Sequence, residues 1–248
     1  QLVGDDLFVT NPKILAEGSF KGEGLHNYVR VFETVNLAPN FLTSITVVFG
    51  TLLIVSAVAA MAAFAFSKLD FPFKKAIYYM LLTGMMIPTS ALIFPLFQIV
   101  KGLKINNTPF SLIFPYATLN CCFNLMVLKN YFDALPNELI EAAVMDGCKE
   151  LTIYHKLVLP LVIPALVTQG VMTFIGTWNS YLTPLIVLND KNKFTLPLMI
   201  ATVRDSTHAD YGAQYVGMLV SIIPMVIVFC FASRIIMEKI SIGAAVKG

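Results

Sequence analysis

Five stretches of this chain hold no Asp, Glu, Lys or Arg. They run over Thr34–Ser67, Ala76–Val100, Ile105–Leu128, Leu157–Asn189 and Tyr211–Ser233. Each is long enough for the ~20 residues that a helix needs to cross ~30 Å of hydrocarbon. None shows the period-2 alternation of a β-barrel strand. In lipid the backbone must satisfy its own hydrogen bonds, so such stretches form helices. The pattern predicts an all-α integral membrane protein, a polytopic bundle of five spans, and these fall at about Phe41–Phe66, Ala76–Val100, Ser111–Leu128, Val158–Trp178 and Gln214–Ile236. Pro39-Asn40 reads as a turn before the first span. Pro88 and Pro95 read as kinks within the second. Residues 1–40 form a polar lead-in, residues 41–240 a membrane domain with a long polar loop at 129–156, and residues 241–248 a tail. The segment from Asn179 to Asp210 reads as a second, turn-rich loop.

Composition agrees with this reading. Hydrophobic residues make up 57% of the chain and charged residues only 13%, against roughly 25% charged in a soluble domain. The net charge of +2 comes with no basic stripe and no interleaved aromatics, so nucleic acid is not expected as a partner. Cys121, Cys122, Cys148 and Cys230 lack metal-ligand spacing and read as small apolar packing residues. His26, His155 and His208 sit in loops with no pattern for a metal site or a catalytic triad, so neither catalytic nor metal residues are expected. The acidic residues all fall outside the five spans. That speaks against a proton-coupled carrier, which places ionisable groups within the membrane; a sodium-coupled carrier built on backbone carbonyls stays open. The basic residues divide nine to eight between the two sides. Their higher density on the side of the 129–156 loop puts that loop in the cytoplasm.

Within this loop lies "ELIEAAVMDG", Glu138 to Gly147. Pro136 suits a first helical position, Glu138 and Glu141 suit the positive end of a helix dipole, and Gly147 suits a left-handed stop. These signals predict a three-turn helix over Pro136–Asp146. Leu135, Leu139 and Ala142/Ala143 form its small apolar side, and Glu138, Glu141 and Met145 lie on the other. It is too short and too polar to span. Pro160 and Pro164 then fall in the first turns of the next span and set its angle to the loop. By itself the segment reads equally as an ordinary interfacial loop helix.

The spacing Glu141-Ala142-Ala143, three residues, Gly147, nine residues, Leu157-x-Leu159-Pro160 resembles the EAA loop of ABC importer permeases. Leu157 stands where that pattern has isoleucine. Leu135-Pro136-x-Glu138-Leu139 and Asp146-Gly147 resemble the carbohydrate branch, as does "GTWNSYLTPLIVLNDKNKFTLPLMI". The tail "GAAVKG" resembles the maltose-permease MalG type, and the likeness extends from about Asn11 to the end.

The resemblance implies a subunit of the bacterial cytoplasmic membrane that imports a sugar or oligosaccharide and is not itself an enzyme. ATP and magnesium would be bound and hydrolysed by a partner ATPase dimer. Glu141, with Glu138, Ala142, Ala143, Asp146, Gly147, Leu159 and Pro160, would form the contact that couples to that ATPase. Lys247 and Gly248 would reach its nucleotide-binding region. A homologous second permease, an extracytoplasmic solute-binding protein and membrane lipid complete the implied partners. Such subunits carry six spans, which implies a first span ahead of the lead-in. Candidates for the solute pathway are Asn120, Asn124, Gln169, Thr173, Trp178, Asn179 and Tyr181, which offer the amides, hydroxyls and aromatic faces a sugar needs. Helix–helix hydrogen bonding or an interfacial aromatic belt accounts for the same residues. The alternatives are an importer for peptide or amino acid, an ion-coupled secondary carrier, or a membrane scaffold.

Overall fold

The computed structural model describes residues 37–202 and 211–245. Their regular structure is entirely helical. Helix α1 covers Leu37–Lys68. Helix α2, Lys74–Thr83, ends in a 3₁₀ turn at Gly84–Met86, and α3 covers Thr89–Gly102. Helix α4 is Phe110–Asp133 and α5 is Asn137–Met145. Helix α6, Glu150–Leu161, carries a π-helical segment at Ile153–Val158, and α7 is Ile163–Trp178. The short helices α8, Leu182–Val187, and α9, Leu196–Ala201, precede α10, Tyr211–Ala245.

Among the described residues three unbroken helices, α1, α4 and α10, are long and apolar enough to cross a membrane. The second and fourth spans are bent pairs. Helices α2 and α3 meet at 99°, and α6 and α7 meet at 74°. Pro88 therefore breaks the second span instead of kinking it, with Ile87 and Pro88 both extended at the corner. Only Pro95 lies inside a helix there. The fourth span breaks at Val162, between Pro160 and Pro164, so α7 starts at Ile163 and not at Val158. Each proline removes a donor and crowds the preceding turn, and two in five residues stop the ladder. The first span is already helical at Leu37, four residues ahead of Phe41. Pro39 and Asn40 lie within this helix and not in a turn ahead of it. The loop after Asn179 is not merely turns, since α8 and α9 lie within it.

The packing fixes which elements share an end of the bundle. Val47 near the start of α1 packs with Leu112, Ile113 and Tyr116 near the start of α4. Ala59 to Phe66 near its end pack with Leu125, Leu128 and Phe132. The two helices therefore run parallel, in contact along their length. The run of Ala59, Ala60 and Ala63, all essentially inaccessible, lets the backbones approach closely, as small residues do between membrane helices. Helix α7 runs the opposite way. Ala165 joins the cluster at the end of α1, while Phe174 and Trp178 join Leu37 and Val48 at its start. The 129–156 loop thus lies at one end of the bundle and the segment carrying α8 and α9 at the other. The expectations for residues 1–36, for Arg204 to Asp210 and for Lys247 and Gly248 lie outside the described residues.

Candidate functional site: a helix presented at one end of the bundle

Helix α5 starts one residue later and ends one residue earlier than its sequence signals suggest. Pro136, with ψ 134°, is its N-cap and not its first helical residue. Glu138 lies in the first turn, where a carboxylate meets the exposed N–H groups. At the other end Cys148 N donates to Ala143 O at 3.0 Å and Gly147 N donates to Val144 O at 2.9 Å. This pair of bonds is a Schellman stop, and Gly147 supplies the φ of +77° it requires. A Cβ placed on Gly147 meets nothing within 4 Å. The glycine is there for the turn and not for a tight fit.

The inner face of α5 differs from the one its spacing suggests. Ile140 and Ala143, with Leu135 ahead of the helix, pack on the cluster formed by the ends of α1 and α4 and by α6. Leu139 and Ala142 are exposed. Alanine does not distinguish the two sides, and Ile140 is the residue that marks the inward one. No residue of α5 is fully buried. Its outer surface carries Glu138, Leu139, Glu141, Ala142, Val144, Met145 and Asp146. Met145 is 86% exposed and Val144 56%. Glu138, Glu141 and Asp146 with apolar side chains between them, on the side of the helix turned away from the bundle, form a surface of mixed character.

Helix α5 stands on a firm floor. Ile153, Tyr154 and Val158 of the π-helical segment are buried against Phe64 and Phe132. Tyr154 lies 5.3 Å from Phe64, ring centre to ring centre. Leu159 packs on the same cluster, while Pro160 is exposed at the corner. A π-helical turn widens the ladder by one residue and often sits beside functional segments. Here it lets Ile153, Tyr154 and Val158 all face the floor.

The solute-pathway candidates divide into two groups. Asn124, Gln169, Thr173 and Trp178 are engaged between helices, and Asn120, half-buried beside them on α4, bonds only within its own helix. Asn120 Nδ2 donates to Tyr116 O at 2.8 Å. Asn124 Nδ2 donates to Asn120 O at 2.8 Å and to Thr173 Oγ1 at 3.1 Å. Gln169 Nε2 donates to Ser56 Oγ at 2.9 Å. Trp178 Nε1 lies 3.2 Å from both Ser221 O and Ser221 Oγ, and its ring stacks on Phe174 at 5.5 Å. Asn124, Gln169, Thr173 and Trp178 are buried. Asn179 and Tyr181 are exposed, and with Ser221 they line a cleft of about 370 Å³ between α9 and α10.

This arrangement, spans broken at prolines around a parallel helix pair with a short acidic helix held out at one end, is that of a multi-pass membrane protein. The chain belongs to the family of binding-protein-dependent transport system inner membrane components, which matches residues 53–241. It is 30% identical to the diacetylchitobiose uptake system permease NgcG of Streptomyces coelicolor, over 88% of this chain and 72% of that one. It is 33% identical to the arabinooligosaccharide transport permease AraQ of Halalkalibacterium halodurans, over 77% and 67%. Among solved structures, a bacterial ABC transporter involved in import of the polysaccharide alginate shares the fold. Its TM-score is 0.73 and its identity 23%, covering 84% of this chain and 78% of that one.

Proposed function

We propose that this permease moves a carbohydrate, a sugar or oligosaccharide, and that α5 is the element through which a cytoplasmic ATPase drives it. The observation that carries the reading is the outward face of α5. An acidic and apolar surface, set by Glu138, Glu141, Val144 and Met145 and stopped by Gly147, projects away from the bundle in the EAA spacing. Glu141 would meet a basic residue of the ATPase in a charge-assisted contact. Ala142 would let the ATPase surface come close to the helix. ATP and magnesium would be bound and turned over by that ATPase, and this chain would catalyse nothing. A second permease subunit would cover exposed apolar faces of the bundle, and an extracytoplasmic binding protein would deliver the solute. ATP-driven closing of the motor would bias two packings of the bundle, one open to each side.

The relatives named for diacetylchitobiose and arabinooligosaccharide support the carbohydrate assignment. Asn179 and Tyr181, which keep open surface on the cleft between α9 and α10, are the pathway candidates free to touch a sugar; the buried group serves as interhelical fastening. The test is uptake in proteoliposomes containing the purified complex, with a panel of radiolabelled di- and oligosaccharides. Uptake that requires ATP and the binding protein is expected. Uptake driven by an ion gradient without the ATPase would overturn the proposal, and uptake of peptides alone would overturn its carbohydrate part.

A further inference from the structure

The polar contacts at the α5 end converge on two residues of α1. Lys68 Nζ donates to Leu135 O at 2.7 Å and to Asn137 Oδ1 at 2.8 Å. One ammonium thus grips the link between α4 and α5 and the first residue of α5. Next to it Ser67 Oγ donates to Asp133 Oδ1 at 2.6 Å, and Lys129 Nζ donates to Asp133 Oδ2 at 2.5 Å. Lys129 also lies 5.3 Å from the centre of the Tyr78 ring on α2. Four helices, α1, α2, α4 and α5, are joined by these side chains within a few residues of one another. An ammonium placed at the carbonyl end of α4 is favoured by the helix dipole as well.

This geometry does what packing alone does not. Ile140 and Ala143 lie on an apolar floor, and apolar contacts permit sliding. Charge-assisted hydrogen bonds fix direction and register. We infer that Lys68 is a positioning residue. It latches the start of α5 to the end of α1, so that displacement of α5 moves the parallel α1–α4 pair as one body. Ser67, Asp133 and Lys129 hold α4 in the same unit. The inference rests on the reading of α5 as the driven element and assigns the route by which its movement enters the spans.

The test uses the assembled transporter in nanodiscs, with Cys121, Cys122 and Cys230 replaced by serine. Spin labels are placed on Cys148, exposed just beyond α5, and at Met61→Cys on the exposed side of α1. Distances are measured without nucleotide and with MgATP and vanadate. With Lys68 present, a narrow distribution that does not change on trapping is expected. With Lys68→Met the distribution broadens, and trapping shifts it by roughly the 5 Å of one helical turn. Lys68→Arg restores the narrow distribution. A Lys68→Met distribution identical to the parent in both states would overturn the inference. Should Lys68→Met fail to assemble, Asn137→Ala removes one of the two acceptors at an exposed position, and an unchanged distribution there would overturn it equally. The ATPase contact fails separately: a Glu141→Lys chain that still retains the ATPase would sink that contact whatever the label distances report.

Discussion

Two short helices sit at opposite ends of this bundle, and they are held in opposite ways. Helix α9 buries Leu196, Leu198 and Ile200. Its surroundings are sewn in by neutral groups. Asn40 Nδ2 donates to Lys191 O at 2.7 Å and to Phe194 O at 3.0 Å, and Leu196 N donates to Ser44 Oγ at 2.8 Å. Asn107, at φ 57°, accepts from the N–H groups of Asn189 and Asp190 at 3.2 Å. Helix α5 fully buries nothing. It is attached at its start by one lysine and at its end by a turn, and its outer face stays free. The α9 end is built into the fold. The α5 end leaves its outer face uncovered, as the proposed ATPase contact requires. A segment selected for its own fold hides its apolar residues; one selected for a partner keeps them out.

That contrast makes the two ends differ under mutation. The largest effect is expected for Leu198→Ala, which leaves a cavity and costs about 3 kcal/mol of stability. Asn40→Ala comes next, at about 2 kcal/mol, because two carbonyls lose their donor. Gly147→Ala should cost about 1 kcal/mol through backbone strain alone, since no atom obstructs the added methyl. Leu139→Ala, exposed on α5, should change stability by less than about 0.5 kcal/mol. Unfolding in detergent can be followed by fluorescence of Trp178, the sole tryptophan, which reports loss of its stacking on Phe174. If Leu139→Ala destabilised the chain as much as Leu198→Ala, the distinction between a presented and a built-in helix would collapse.

Much of this was readable in advance, for local reasons. Membrane spans announce themselves by absence of charge, and all five described apolar regions are helical. The stop at Gly147 is written within five residues, so the sequence predicts it correctly. The corners at Pro88 and Val162 are not legible in the same way. A proline in an apolar run can kink or break a helix, and the choice depends on neighbours far away in sequence. Asn40 reads as half of a turn signal because its partners, Lys191 and Phe194, lie about 150 residues on. Helix α9 hides for a similar reason, since five apolar residues around a proline carry no period. The inward face of α5 is hard to assign because nine residues with two alanines leave the stripe undefined. The latch at Lys68 is invisible until α1 and α4 are known to be parallel.

The central claim is that α5 is a surface for a motor and not a support for the fold. Glu141→Lys tests it most directly, by co-purification of the ATPase subunit with the permease from membranes, alongside the Trp178 melting curve of the permease. An unchanged melting curve and loss of the ATPase from the purified complex are expected. Retention of the ATPase at the parent ratio, with the fold intact, would contradict it.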